Sequence, residues 1–474
     1  MFISNFDLGQ LTRESRRPRW VREHPQAPWA AVGAVCLGVF MGQLDASIVT
    51  LTYPQLEAEF STGLGGVQWV SLSYLVVLAV LLVPVGRWAD TRGRKLLYLY
   101  GFGLFSLASA ACALAPSLGW LVAGRSLQAV GAALLQANSV ALVVLSVPAS
   151  RLRTALGFQG AAQALGLALG PTLGGVLVGA YGWRSVFWVN VPVGVVAILA
   201  GYLLLPRSRD LNPGRGKDVA GFVLLATAIV SSLLVLSGLS GMPVPPAVVA
   251  GLCVVAFAAV VGFWRAEARA VAPLVDISLL RRGGLGASLT GALLAYLLLF
   301  APLVLYPSVF ATWGMSVAVG GLVLSCLPAG FALAAVGANA AHLRASNHQR
   351  VGVGAAGVFA CLVANIALWH SPGLVAVLLL LMGAFLGLVI PANNATVMGA
   401  VPPSAAAVTG GMVNVARALG TALGVAVAAM GLHVAELHNW VGPQVVLGAL
   451  AVCSIALGAT TLSRPRTSFV TKER

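Results

Sequence analysis

The sequence predicts an all-α membrane protein with fourteen transmembrane helices. Of its 474 residues, 59% are hydrophobic and only 9% are charged, a balance that water-soluble globular domains do not sustain. A hydrocarbon core of about 30 Å takes about 20 apolar residues per helix, and fourteen runs are long enough to cross it. These runs lie at 29–53, 66–86, 95–115, 118–146, 153–180, 184–205, 219–239, 244–264, 284–311, 315–339, 351–370, 373–398, 404–432 and 441–462.

The basic residues set the predicted topology. The formal net charge is +15, but Lys and Arg recur as small clusters between the apolar runs instead of forming one nucleic-acid-binding patch. Because cytoplasmic loops are enriched in Lys and Arg, both termini and nearly all the clusters are expected on the cytoplasmic face, with only Arg125, Arg184 and Arg417 elsewhere. Scarce Lys beside abundant Ala, Gly and Arg favours a bacterial source. We therefore expect a multi-pass protein of the bacterial cytoplasmic (inner) membrane that binds no nucleic acid.

The chain contains an internal repeat. Ala162–Gly170 reads AQALGLALG and Ala416–Gly424 reads ARALGTALG, an offset of 254 residues from 162 to 416. Each segment is the fifth helix of a six-helix set and runs in the same direction, which indicates parallel repeats related by an axis along the membrane normal. The predicted units are a cytoplasmic N-terminal tail at 1–28, an N-terminal six-helix bundle at 29–206, two linker helices with flanking loops at 207–282, a C-terminal six-helix bundle at 283–462 and a cytoplasmic C-terminal tail at 463–474.

The most specific string joins the second and third spans. It reads GRWADTRGRK over Gly86–Lys95 and resembles the loop motif of the major facilitator superfamily. Positive-inside topology explains the basic residues of this loop, but it does not explain Asp90 among them. The resemblance implies a glycine that allows close helix approach and an aspartate that meets basic partners. We therefore expect Gly86, Asp90 and Arg94 to take part in conformational gating.

The resemblance extends along the first half of the chain. Leu44–Val49 in the first span, Arg125–Gly131 in the fourth and Gly166–Gly175 in the fifth look like motifs of the fourteen-helix drug:proton antiporter branch of that superfamily. The second half matches loosely, through Asn414, Arg417 and Gly420. The resemblance implies the major facilitator fold, two six-helix bundles plus two inserted helices, and multidrug efflux in exchange for protons. In that branch the fifth helix is associated with export.

The fifth span carries a face of small residues. Gly166, Gly170 and Gly174 recur at every fourth position, which lets a neighbouring helix approach closely. Pro171 removes one backbone hydrogen bond and kinks the helix, as suits a helix that moves. We expect these four residues to take part in conformational gating; the alternative is a packing face with no gating role.

Asp45 is the only carboxylate well inside any of the fourteen runs. A charge near the bilayer centre costs at least about 2.5 kcal/mol, so such residues face the bundle interior and usually have a function. At about 1.5 Å per residue, Asp45 and Arg125 both lie about 10 Å from the outer ends of their helices and can meet. We predict that Asp45 carries a coupled proton and that Arg125 tunes it. The alternative is an ion pair with a purely structural role.

Seven polar residues of the spans are candidates for lining a substrate cavity. Buried amides also join helices without touching substrate, and Arg417 is as compatible with a structural role as with substrate contact. The seven are Gln43, Gln128, Gln136, Asn138, Gln163, Asn414 and Arg417.

The absence from the sequence of a GxxxxGKS/T phosphate-binding loop leaves an ion or substrate gradient as the energy source. We predict a proton-coupled secondary active exporter of lipophilic small molecules, cationic or neutral drugs or antibiotics, that works as a monomer without cofactor or metal. A lipid or lipid-linked metabolite is an alternative cargo for the same fold. A polytopic membrane transferase is a third hypothesis, but the histidines and loop carboxylates form no evident acid–base constellation.

Overall fold

The computed structural model describes residues 14, 17–208, 218–239, 244–270, 284–340, 345–400 and 406–462. The fourteen predicted spans are confirmed as helices of membrane-crossing length and composition. We number them α1 Ala27–Ile48, α2 Trp69–Arg92, α3 Arg94–Ala113, α4 Leu118–Ser146, α5 Leu152–Tyr181, α6 Asn190–Leu204, α7 Val219–Leu239, α8 Pro246–Arg269, α9 Leu285–Thr312, α10 Val317–Ala340, α11 Asn347–Leu368, α12 Pro372–Gly399, α13 Ala406–Leu437 and α14 Gly442–Leu462. Residues 1–13 of the predicted N-terminal tail, the predicted C-terminal tail at 463–474 and parts of the predicted 207–282 linker lie outside the described residues.

The first span is longer than predicted. After Ile48 the chain makes a 3-10 turn at Val49–Thr52 and continues as a helix over Tyr53–Phe60. Pro54 lies in the first turn of that helix, where its missing N–H has no intrahelical partner to lose. The first span therefore continues past the predicted apolar run as far as Phe60, and this added part includes polar residues.

The connection between α2 and α3 is not the predicted loop. α2 stays helical to Arg92, and Gly93 alone separates it from α3. The residues before Gly93 are compatible with a helix, whereas Gly93 has φ 106, a left-handed conformation that favours glycine. The motif at Gly86–Lys95 is thus two helix ends joined by a single residue.

The helices form two groups with matching internal packing. In the first group α1 packs against α4, α5 and α6, and in the second α9 packs against α12, α13 and α14. The groups meet through α5 against α10 and through α13 against α2. α7 packs against both α2 and α13 at the edge of this contact, and α8 packs against α7.

The contact between the groups is closed at one side of the molecule. We call the side on which α1 begins and α14 ends the tail side, and the opposite side the far side. In the far half of α5, a Cβ added to Gly175 would lie 2.8 Å from the Val317 carbonyl oxygen of α10. In the tail half, a Cβ added to Gly157 or Gly160 of α5, or to Gly410 of α13, meets nothing within 4 Å. The groups therefore touch on the far side, and these three tail-half glycines have no neighbour at that distance.

Candidate functional site

A buried ion pair joins α1 and α4. Arg125 Nη1 donates to Asp45 Oδ2 at 2.6 Å, and the two side chains are 1% and 0% exposed. Removing two charges from water is so unfavourable that a buried pair persists only with close geometry and further hydrogen bonds. The contact expected from the depths of these two residues therefore forms, wholly inside the first helix group.

Two amides complete the hydrogen bonding of the Asp45 carboxylate. Gln128 Nε2 on α4 and Asn190 Nδ2 on α6 donate to Asp45 Oδ1 at 2.9 and 3.0 Å. Gln128 Nε2 also donates to the Ser109 hydroxyl of α3 at 2.8 Å. The Asp45 carboxylate thus joins α1 directly to α4 and α6, and Gln128 extends the cluster to α3.

Arg125 has partners besides Asp45. Its Nε donates to the Val70 carbonyl oxygen at 2.9 Å and its Nη1 to Gln128 Oε1 at 2.5 Å. Its guanidinium carbon lies 4.3 Å from the Tyr74 ring centroid, within the range of a cation–π contact. Arg125 therefore keeps polar partners when the Asp45 carboxylate becomes neutral.

Sequence reasoning missed three members of this cluster: Asn190, Ser109 and Tyr74. Asn190 is the only amide in its predicted span at 184–205, and a lone amide in an apolar run was a usable signal. Serine and tyrosine recur along many of the spans, so their spacing carried no comparable signal.

The predicted small-residue face of α5 packs on α1. A Cβ added to Gly166 would lie 2.5 Å from the Phe40 carbonyl oxygen, and one added to Gly174 would lie 2.7 Å from Ile48 Cγ1. A Cβ added to Gly170 would overlap the Ser47 hydroxyl. Real Cβ atoms do not approach so closely, so a larger residue at any of these positions would force α1 or its side chains to shift.

The second copy of the repeat packs in the same way. A Cβ added to Gly420 of α13 would overlap the Leu293 carbonyl oxygen of α9, and one added to Gly424 would lie 2.7 Å from the Leu297 carbonyl oxygen. Gly420 and Gly424 stand 254 residues after Gly166 and Gly170. Residues equivalent in the sequence repeat therefore form equivalent helix seams.

The other face of α5 meets α10 across the two groups. The Thr172 and Ser325 hydroxyl oxygens are hydrogen-bonded at 2.5 Å. Beside them, a Cβ added to Gly321 would overlap the Pro171 carbonyl oxygen. α5 is thus held between α1, which carries Asp45, and the second helix group.

The helix junction at Gly93 is held by charged groups on the tail side. Arg94 Nη2 lies 2.5 Å from Asp90 Oδ1, in an ion pair that spans the junction. A Cβ added to Gly86 would reach Ala137 of α4 only at 4.0 Å, which is ordinary van der Waals contact. Glu14 accepts from the Lys95 backbone N–H at 2.8 Å and thereby caps α3, as a carboxylate does at a helix N-terminus.

The predicted cavity residues fall into two sets. Gln128 and Asn138 are fully buried, and Asn138 Nδ2 donates to the Leu134 carbonyl oxygen at 2.8 Å. The other five are partly exposed: Gln43, Gln136, Gln163, Asn414 and Arg417. Gln128 thus lies within the ion-pair cluster.

Arg417 lies in the second helix group beside an aromatic ring. Its Nη1 donates to Asn414 Oδ1 at 3.3 Å, and its guanidinium carbon lies 4.7 Å from the Tyr296 ring centroid. Among the described residues, no ion pair includes Arg417. The same part of the chain holds no group of three or more His, Cys, Asp or Glu residues that could bind a metal ion.

Comparisons with known proteins agree with this architecture. The model of the Major Facilitator Superfamily matches residues 35–425. The tetracenomycin C resistance and export protein of Streptomyces glaucescens is 30% identical over 84% of this chain and 75% of that protein. The multidrug resistance protein Stp of Mycobacterium tuberculosis is 32% identical over 83% of this chain and 74% of that protein. Matches to two further bacterial transporters span 66% and 46% of those relatives' lengths.

A solved structure shares the fold. It is a bacterial homolog of the human lysosomal transporter Spinster, crystallised in an inward-facing and occupied conformation. The TM-score is 0.61 at 16% sequence identity, over 93% of this chain and 95% of that one.

Proposed function

Because the chain belongs to the major facilitator superfamily, a family of membrane transporters, we propose that it is a proton-coupled secondary active exporter of lipophilic small molecules, drugs or antibiotics among them. The observation that carries the proposal is the buried Asp45–Arg125 pair on the helix that packs against α5. The printed names of two relatives, a resistance and export protein and a multidrug resistance protein, support the class of cargo.

Asp45 is the proton carrier in this proposal. Protonation at a carboxylate oxygen removes the negative charge that faces Arg125 Nη1, while Gln128 Oε1 and the Val70 carbonyl oxygen remain as acceptors for the guanidinium. The attraction between α1 and α4 then weakens without stranding the arginine. A proton therefore changes how firmly α1 is held inside its own helix group.

The seam between α1 and α5 transmits that change. Ser47 lies two residues after Asp45 in the sequence and directly against Gly170. On its opposite face α5 is bonded to α10 through Thr172 and Ser325. A shift of α1 therefore moves the contact that closes the far side, since packed helices shift as units. Gly166, Gly170, Pro171 and Gly174 are the gating residues of this step.

The tail-side junction has a separate part in gating. The Asp90–Arg94 pair holds the ends of α2 and α3 at a fixed angle around Gly93. Because α2 also packs against α13, movement at this junction changes the relation between the two helix groups. We assign Gly86, Asp90 and Arg94 to this hinge.

The substrate binds in the space between the two bundles, which we place at 29–206 and 283–462 with the linker helices at 207–282. Its walls include the five partly exposed candidates: Gln43, Gln136, Gln163, Asn414 and Arg417. We further propose that the protein is a monomer of the bacterial cytoplasmic membrane with its tail side in the cytoplasm. It is then open to cytoplasmic substrate in the conformation described.

Transport in proteoliposomes tests the proposal. Purified protein is reconstituted with a pH-sensitive dye and either the cationic drug ethidium or the fluorescent anion 1-pyrenebutanoate, and a pH gradient is imposed across the membrane. The expected result is movement of the drug against its gradient with opposite movement of protons, both abolished by an uncoupler. Drug movement that ignores the pH gradient and gives no proton signal would exclude a proton antiporter.

A further inference from the structure

Arg417 and Arg125 both lie inside the helix groups, but they differ in whether a carboxylate neutralises the guanidinium. Arg125 is fully buried and faces a carboxylate at 2.6 Å. Arg417 is partly exposed, and its contacts include the Asn414 amide oxygen at 3.3 Å and the Tyr296 side chain, whose ring centroid lies 4.7 Å away. An intramembrane charge is expensive and usually marks a functional site. Neither partner of Arg417 neutralises its charge.

Arg417 lies in the tail half of α13, on the side from which we propose that substrate enters. It lies about 16 Å along α13 from the tail-side start of that helix and one turn before Gly420, where the tight seam with α9 begins. Asn414, Arg417 and Gly420 follow one another at every third position, so they share one stripe of the helix. On the tail side of this stripe, a Cβ added to Gly410 or Gly411 meets nothing within 4 Å.

The resulting field favours anions. Asp45 and Arg125 cancel each other within the first group, so Arg417 contributes to the proposed substrate space a positive charge that no ion pair among the described residues neutralises. In a space bounded by apolar helices this charge is screened less than it is in water. A cationic substrate is repelled from it, whereas an anion supplies the missing partner.

The chemistry of the three residues suits an organic acid. A guanidinium presents parallel N–H groups that match the two oxygens of a carboxylate. Asn414 accepts from Arg417 through Oδ1, which leaves its Nδ2 as a further donor. The Tyr296 ring centroid lies 4.7 Å from the guanidinium carbon, within the range of a cation–π contact. We propose that Arg417, Asn414 and Tyr296 form a site for the acidic group of a lipophilic organic anion, which names the substrate class of the proposed exporter and rests on that function.

A matched pair of ligands tests the charge preference directly. 1-Pyrenebutanoate and (1-pyrenebutyl)trimethylammonium carry the same ring and chain with opposite charges. Their binding to the full-length protein in detergent is measured by fluorescence anisotropy, with empty micelles subtracted. The expected result is tighter binding of the carboxylate by the unaltered protein. Equal binding, or tighter binding of the ammonium ligand, would overturn the proposal without any variant being made.

Variants locate the preference at Arg417. Arg417→Gln should weaken carboxylate binding by about tenfold or more, the loss expected for a hydrogen bond to a charged group, and leave the ammonium ligand unaffected. Arg417→Glu should reverse the preference, which a merely structural role would not produce. Arg184→Gln, at an exposed ion pair with Glu59, is the matched control. If Arg417→Gln does not fold, Arg417→Lys should keep the anion preference, and loss of that preference in a folded Arg417→Lys protein would also count against the site.

The test is independent of proton coupling. Equilibrium binding in detergent involves no gradient, so failure of the proton signal in proteoliposomes would remove the proposed energy source and leave the binding result standing. Loss of anion preference beside normal proton-driven export would remove only the substrate class.

Discussion

Asp45→Asn removes the negative charge of the buried ion pair while keeping the side chain nearly the same in size and shape. Asparagine keeps a carbonyl oxygen that can accept from Gln128 and Asn190 as Asp45 Oδ1 does. What disappears is the negatively charged acceptor at Oδ2, 2.6 Å from Arg125 Nη1, because the amide nitrogen in its place can only donate. The variant therefore resembles the permanently protonated state of the proposed proton carrier.

Two magnitudes follow from this geometry. Removing one partner of a fully buried pair costs about 3–5 kcal/mol, and the contacts of Arg125 with Val70 and Gln128 place the expected destabilisation near the lower end. A proton moving through about 100 mV supplies about 2.3 kcal/mol, which sustains a substrate gradient of about fifty-fold. Without a titratable carboxylate that gradient should fall to unity.

The assay is uphill efflux in proteoliposomes with simultaneous recording of proton movement. Asp45→Asn should lose accumulation and the proton signal while keeping substrate exchange down a gradient. Glu59→Gln makes the same chemical change in an exposed ion pair, worth at most about 1 kcal/mol, and should export normally. If Asp45→Asn exports uphill with an unaltered proton signal, the pair is structural and the coupling scheme is wrong.

Three further perturbations address gating. Gly170→Leu should abolish export, because even an added Cβ overlaps α1 there. Gly179→Leu is the control: an added Cβ meets nothing within 4 Å, so this variant should transport normally at equal membrane abundance. Overpacking costs about 1–3 kcal/mol, so only Gly170→Leu should have a lower melting temperature. Thr172→Cys combined with Ser325→Cys should form a disulfide, since hydroxyl oxygens 2.5 Å apart place the Cβ atoms near the distance that a disulfide bridges. Oxidation of the double variant should stop export and reduction should restore it, whereas neither single variant should respond. Asp90→Asn should insert normally but transport more slowly, because it removes the anion that pairs across the α2–α3 junction; an unchanged rate at equal abundance would show that the pair is dispensable.

Much of the fold was predictable because the bilayer imposes a length. Every span must bury its backbone hydrogen bonds within a helix of about 20 apolar residues, so the count of fourteen followed from hydropathy alone and matches the structure. The error at Gly86–Lys95 has the same origin. Hydropathy falls where α2 leaves the apolar layer, but the backbone stays helical until Gly93, whose φ of 106 ends it.

Part of the candidate site could also be predicted from the positions of residues along single helices. A single carboxylate deep in an apolar run needs a partner, and matching depths identified Arg125 as that partner. The glycines of α5 predicted close packing against a neighbouring helix because their spacing puts them on one face. Each inference used only position along one helix axis, which a sequence specifies.

Rotation of the helices about their axes was decided only by the tertiary structure. The rotation of α4 places Gln128 within the ion-pair cluster and leaves Gln136, two turns farther along the same helix, partly exposed. Helix rotation also brought Asn190 of α6 to Asp45 and Thr172 of α5 to Ser325 of α10, contacts between distant parts of the chain. Which faces of apolar helices meet depends on the fit of side chains across several neighbours at once, so no single segment carries that information, and the closed far side exists only once the two helix groups have packed.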